Sequence, residues 1–272
     1  MKPLAEQGDA RAQNSLGYYY LHGYGVPQDY AAALKLFRKS AKQRWASARL
    51  NLGCMYQNGY GVPQNYATAL KHYRRGGELG NSDQQYWVGS RIYDSAKLLR
   101  SPDHRYAEVL KWYRKSAEQG NAEAKNGIGV LYDYGQGVVQ DTAEALKWFR
   151  EASALDSSYA QYNVGICYYV GAGLPQNYAE AEGWFRRAAE QNNGLAELEL
   201  GRMYYYGKGV PTDFGLALRW FKRAAERGDD EAPFYLNLMY ENGHVAHRDA
   251  TQDFAEAEKC YQKAADQGNE TA

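Results

Sequence analysis

Six side chains between positions 159 and 206 concentrate recognition chemistry: Tyr159, Tyr162, Tyr169, Tyr205 and Tyr206, with Arg202 among them. Tyrosine presents a large contact area with one polar tip, and arginine a planar fork of donors, so the set suits capture of a protein surface or an extended peptide. The chain holds 26 tyrosines, many of which fill one repeated core position, so packing between neighbouring helices is the competing use of the cluster. Catalytic patterns are scarce. The GYG and GAG triplets lie at helix ends before proline, not between a strand and a helix, and so form neither a dinucleotide fingerprint nor a phosphate loop. There is no HExxH and no GxSxG. His244 and His247, with Asp249 nearby, are spaced to hold a metal, but loop histidines are ordinarily just solvated. No catalytic residue, metal or other cofactor is expected.

The elements that must position these residues repeat. The segment LGYYYLHGYGVPQDYAAALKLFRKSAK, Leu16 to Lys42, returns in near copies. Its first glycine falls at Gly17, Gly53, Gly89, Gly129, Gly165 and Gly201, with Asn237 in the seventh slot, in steps of 36, 36, 40, 36, 36 and 36. A fixed period of this length signals stacked helical hairpins. In each first helix small or apolar residues recur at i, i+4 and i+8, as in Ala48, Leu52 and Tyr56 or Ala160, Val164 and Tyr168. Glycine pairs such as Gly59 and Gly61 stop it, and Pro63 or Pro175 prevents continuation. The second helix is expected to open on Asp29, Asn65, Asp141, Asn177, Asp213 or Asp253 as N-cap. Glu144, Glu180 and Glu256 would then complete capping boxes. It carries an aromatic slot (Phe37, Tyr73, Tyr113, Phe149, Phe185, Phe221, Tyr261) and ends near Gly80, Gly120, Gly228 or Gly268. The Leu-Gly glycine is expected to meet a small slot at Ala31, Ala67, Ala107, Ala143, Ala179, Gly215 and Ala255 where the hairpin is tightest.

The third repeat departs from the pattern: SAKLLRSPDHRY, Ser95 to Tyr106, replaces the glycine loop, and its first helix is expected to run longer. A second insertion spans His244 to Asp253, and Pro233 stands early in the seventh first helix. Gly76 and Gly77 are expected to soften the end of the second repeat's last helix by about 1 kcal/mol each.

This repeated pattern resembles the Sel-one-like repeat (SLR) family, longer-looped relatives of tetratricopeptide repeats. The resemblance covers almost all 272 residues. It implies an all-α, right-handed α/α superhelix of about seven antiparallel hairpins. The chain then reads as a single solenoid with repeats near 10–44, 45–80, 81–120, 121–156, 157–192, 193–228 and 229–268, cut within a repeat at both ends. In tetratricopeptide-like stacks, the face of the first helix turned away from its packed stripe lines the concave groove. Here that face holds Tyr162, Tyr169, Arg202 and Tyr205.

Thirty-two basic and 32 acidic residues cancel, so no global field recruits nucleic acid or an anionic membrane, and no basic stripe is read from the chain. No run of 18 apolar residues and no apolar leader is present. Cys54, Cys167 and Cys260 occupy non-equivalent slots and are expected as free thiols.

The leading expectation is a non-catalytic scaffold that binds a protein or peptide on a Tyr-rich concave face. By analogy with the family this extends to an exported bacterial protein that engages a host or envelope protein. Periplasmic or secreted placement is expected, with any signal peptide outside this segment, and a weak dimer through the end repeats is conceivable. The alternatives are a binder of glycans or small ligands, or β-lactam hydrolysis as in the cysteine-rich branch of the family. That branch's paired cysteines, and any Ser-x-x-Lys motif, are missing here.

Overall fold

The computed structural model describes residues 2–98 and 104–244. The expectations for His247, Asp249, Asp253, Ala255, Glu256, Cys260, Tyr261 and Gly268 therefore lie outside the described residues. The chain divides into two compact units, Met1–Gln140 and Asp141–Ala272. The described residues form fourteen α-helices and no strands.

In the first unit these are α1 (Lys2–Glu6), α2 (Ala10–His22), α3 (Tyr30–Lys42), α4 (Ala46–Asn58), α5 (Tyr66–Leu79), α6 (Ser82–Leu98), α7 (His104–Ala117) and α8 (Ala122–Tyr134). The second unit holds α9 (Thr142–Ser153), α10 (Ser158–Val170), α11 (Tyr178–Glu190), α12 (Gly194–Tyr206), α13 (Phe214–Glu226) and α14 (Ala232–Glu241). Successive helices pack as hairpins, as the repeat implies: α2 on α3, α4 on α5 and α6 on α7 in the first unit, α10 on α11 and α12 on α13 in the second. α6 runs for 17 residues where its counterparts run for 13, so the insertion is partly taken up as extra helix.

Capping sets the helix boundaries. Asp29, Asn65, Asp141, Asn177 and Asp213 each accept a hydrogen bond from the backbone N–H of Ala32, Thr68, Glu144, Glu180 and Leu216, respectively. Asp9, Asn121, Ser157 and Asn193 do the same for α2, α8, α10 and α12. Glu144 departs from its expected role, because its carboxylate accepts from Trp148 Nε1 (3.1 Å) and Lys147 Nζ (2.8 Å). Pro233 sits in the first turn of α14, where no intrahelical N–H is needed.

The loops inside the hairpins are locked by a residue whose role the pattern did not announce. The glutamine after the proline slot donates from Nε2 to a carbonyl seven residues earlier: Gln28 to Leu21, Gln64 to Gln57, Gln140 to Asp133 and Gln176 to Tyr169, at 2.7–2.8 Å. Each bond satisfies one of the carbonyls orphaned at a helix C-terminus.

Two packing expectations are corrected. The slot Ala31, Ala67, Ala107, Ala143, Ala179 and Gly215 is exposed, not buried in the hairpin. The Leu-Gly glycine faces the aromatic slot instead. A Cβ on Gly17, Gly165 or Gly201 would lie 2.8, 2.6 or 2.5 Å from the ring of Phe37, Phe185 or Phe221. The hairpin is therefore a glycine under a buried ring, not two small residues in contact. Gly76 and Gly77 are likewise buried, and a Cβ on Gly77 would stand 2.6 Å from Trp112 Cζ3. They permit a close approach and are not a soft end.

Between successive repeats an arginine after the aromatic slot reaches the tyrosine hydroxyl 18 residues on. The pairs are Arg38–Tyr56 (3.3 Å), Arg114–Tyr132 (3.2 Å), Arg150–Tyr168 (3.1 Å) and Arg186–Tyr204 (2.5 Å). Where Ile92 replaces the tyrosine, Arg74 turns to Glu108 and forms a bidentate pair at 2.7 Å. No helix among the described residues is long and apolar enough to cross a membrane.

Candidate functional site

In the second unit α10, α12 and α14 are the first helices of successive repeats, and the proposed residues sit along them. Tyr162 and Tyr169 flank the buried Phe185 ring on α11, with centroids at 5.8 and 6.3 Å. Tyr169 also meets Tyr178 edge-on at 5.1 Å. Burial raises the Tyr169 hydroxyl's pKa, as do the nearby Glu199 and Tyr178, while Arg202 opposes the shift. Both rings are half-buried and serve the core as well as the surface.

Arg202 is neutralised inside the chain. Its guanidinium donates to Glu199 Oε1 (2.6 Å), to Glu231 and to the Tyr235 hydroxyl (3.0 Å), and it lies 5.0 Å over the Tyr235 ring. Burial opposes its charge, but Glu199, Tyr235 and Glu231 together raise its pKa. Burial raises the Glu199 pKa in turn, and Arg202 counters that shift. This network fixes the guanidinium plane and leaves it little unspent charge.

Tyr205 is the hub of an aromatic cluster, with ring centroids at 4.8 Å from Tyr206, 5.6 Å from Phe214, 6.5 Å from Tyr235 and 5.6 Å from His244. His244, offered above as a metal ligand, stacks on Phe214 at 3.8 Å with an interplanar angle of 12°. Tyr206 and Phe234 remain 55 % and 57 % exposed.

The structure thus brings Arg202, Tyr205 and Tyr206 into one network with Tyr235, and places Tyr162 and Tyr169 about Phe185. It separates Tyr159, which is 55 % exposed and lines a cleft with Leu195, Asn192 and Arg227 at the edge where one repeat passes to the next. Sequence reasoning missed Tyr235, Glu199 and Glu231. Tyr235 stands next to Phe234 on α14, and the two carboxylates come from α12 and from the N-cap of α14, so nothing in the local sequence joins the three. The equivalent face of the first unit was also missed as a site: α2, α4 and α6 form a cleft lined by Tyr18, Leu50, Cys54, Tyr60 and Trp87. Cys54 and Cys167 are thiols outside any disulfide, and burial raises the Cys54 thiol's pKa, with Tyr73 and Arg91 opposing.

The Sel1 repeat family model matches residues 10–44, 46–81, 101–121, 122–157, 158–193, 194–229 and 234–269. Among solved structures, the chain is similar to a Sel1 repeat protein from Oxalobacter formigenes, at 30 % identity and a TM-score of 0.68 over 80 % of this chain and 86 % of that one. It is also similar to a protective antigen, displaying an SLR fold, that is present in uropathogenic Escherichia coli strains. The identity there is 30 % and the TM-score 0.51, over 98 % of this chain and 64 % of that one, so the chain spans under two thirds of that protein's length. No curated protein matches it. Members of the matching family are typically non-catalytic scaffolds for protein–protein interaction. With seven matched repeats spread over most of its length, and hairpins that pack in sequence order, the chain belongs to the Sel1 repeat family.

Proposed function

We propose that this chain is a non-catalytic scaffold that captures a protein or an extended peptide on the face built by α10, α12 and α14, the concave face expected from the sequence. The observation that carries the reading is a held yet exposed aromatic pair. Tyr206 and Phe234 keep more than half of their surface in solvent, while Tyr205 and Tyr235 contact them and pack in turn on Phe214 and Phe221. Aromatic side chains held in place lose little entropy on binding and expose large apolar area, which is the make-up of an interface hot spot. Tyr162, Tyr169 and Arg202 extend the face and set its shape, and Tyr159 supplies a contact at its edge.

The test is retention of a protein from host and bacterial lysates by wild type and by the double variant Tyr206→Ala, Phe234→Ala, after circular dichroism has matched their helix content. Loss of the retained protein by the variant is expected, and equal retention overturns the placement. The neighbour described as a protective antigen supports the narrower reading that this is an exported protein meeting a host or envelope protein. Fractionation of cells expressing the natural gene product tests that step, and confinement to the cytoplasm contradicts it.

A further inference from the structure

The zero net charge of the whole chain hides a strongly uneven distribution. From Tyr30 to Gly77 there are nine lysines and arginines and no aspartate or glutamate. Residues 141–272 carry 13 basic and 21 acidic residues, a net of 13 − 21 = −8. The earlier reading of no basic stripe is corrected by this count. Two of the nine, Arg74 and Arg75, are paired with Glu108 and Glu78. The rest form no ion pair among the described residues, and Lys35, Lys39 and Lys42 on α3 and Lys71 on α5 are exposed.

The centre of this surface is built from three helices. Arg38 on α3 donates to the Tyr56 hydroxyl, and the Tyr56 ring stacks on His72 of α5 at 5.5 Å with an interplanar angle of 11°. Burial lowers the pKa of His72, and the positive charges of Arg49 and Arg38 lower it further.

Comparison with the other repeats shows what is missing there. The slot four residues before the repeat glycine holds Gln13, Gln85, Lys125, Gln161, Glu197 and Pro233 elsewhere. Gln13, Gln85, Gln161 and Glu197 have partners in Gln43 (3.0 Å), Gln119 (2.7 Å), Gln191 (2.9 Å) and Arg223 (2.7 Å), respectively. Arg49 occupies that slot here, and its buried Nε has no hydrogen-bond partner among the described residues. In the His72 slot Trp112 and Trp148 each donate to a glutamate four residues earlier, whereas His72 has Thr68 there and, like Trp220 Nε1 in the same slot, its buried Nδ1 has no hydrogen-bond partner among the described residues. Arg49 Nε and His72 Nδ1 are therefore left without a hydrogen-bond partner among the described residues, in a stretch that carries nine basic residues and no acidic one.

We propose that the surface of α3, α4 and α5 centred on Arg38, Arg49 and His72 binds an acidic segment, rich in aspartate or glutamate, of a partner protein. Guanidinium groups pair with carboxylates in a fork geometry that places two hydrogen bonds at once, which suits aspartate and glutamate side chains. A nucleic acid fits less well, because the chain carries no net positive charge to recruit a long polyanion. The proposal concerns other helices than the aromatic face and does not rest on it.

The test uses the full chain, a fluorescein-labelled peptide carrying eight glutamates, and a single-stranded oligonucleotide of equal charge, read by fluorescence anisotropy. The peptide is expected to bind at 50 mM NaCl and at least tenfold more weakly at 300 mM. Binding should also fall at least tenfold for the double variant Arg38→Gln, Arg49→Gln, whose second change restores the glutamine that the same slot holds in three other repeats. It should be unchanged for Lys208→Glu, Arg219→Glu in the second unit. Tighter binding of the oligonucleotide, wild-type affinity in the double variant, or no peptide binding overturns the proposal. So does a low-salt dimer in sedimentation that the double variant abolishes, since the acidic partner would then be a second copy of this chain.

Discussion

The loop sequence GYGVPQ occurs twice without change, at residues 23–28 and 59–64, and the two copies provide an internal control for contacts between repeats. The second glycine of each is left-handed, Gly25 at φ 67° and Gly61 at φ 65°. Alanine at either position meets the same backbone strain, about 1 kcal/mol. Their surroundings differ. A Cβ on Gly25 would have nothing within 4 Å, whereas one on Gly61 would lie 2.7 Å from the Cβ of Tyr30, at the start of the preceding repeat's second helix. That separation is too short for two carbons, and Tyr30 cannot retreat freely because its ring stacks on Tyr60 at 5.2 Å. Overpacking of this kind costs about 1–3 kcal/mol beyond the strain. Gly61→Ala should therefore be less stable than Gly25→Ala by that amount. For a urea dependence near 2 kcal/mol/M, the unfolding midpoints would differ by about 0.5–1.5 M. Urea titrations followed by far-ultraviolet circular dichroism, compared at equal slope, read this directly. Equal midpoints for the two variants would refute the claim that the second loop glycine exists to seat one repeat on the next.

Gly77→Ala inverts the sign expected from helix propensity: the Trp112 ring makes it destabilising by about 1–3 kcal/mol, and a raised melting temperature would contradict the packing described. Glu197 is fully buried, and burial raises its pKa although Arg223 opposes the shift. The folded chain then binds a proton more tightly than the unfolded one. Stability should accordingly fall as pH rises from the ordinary carboxylate range through the raised value. Glu197→Gln should flatten that slope and leave stability at pH 7 equal or higher, as seen in thermal melts at several pH values; an unchanged slope contradicts the assignment. Tyr204→Phe removes a hydroxyl that accepts from Arg186 and donates to Glu182 at 2.9 Å, and should cost about 1 kcal/mol by urea titration; a smaller loss than about 0.3 kcal/mol would mean the bonds between repeats are ornamental.

The fold was legible because the same constraints are written repeatedly. The caps Asp29, Asn65, Asp141, Asn177 and Asp213, and the glycine stops, act within a few residues of themselves, so spacing alone exposes them. Contacts across helices were read less well. The small slot at Ala31 and its equivalents was assigned to the hairpin interior from register alone, but helical rotation puts it outside, and the aromatic slot six residues later fills the space under the glycine. Gly76 and Gly77 looked soft because propensity is local, whereas the Leu50 and Trp112 side chains that need the space come from other helices. At the candidate site the tyrosines were visible as a concentration of one residue type. Their division of labour was not, because it depends on which rings touch Phe185 and which stay in solvent. The neutralisation of Arg202 needed Glu231 from 29 residues away.

The most direct test of the scaffold reading is site-specific photo-crosslinking. A benzophenone side chain is placed at Tyr206, on the aromatic face, and in a second protein at the exposed Arg219 on α13. Both folded proteins are irradiated in the native cell. The account predicts a covalent adduct with one protein from position 206 and none from position 219. An adduct from 219 alone, or none from either, would contradict the assignment of α10, α12 and α14 as the binding face.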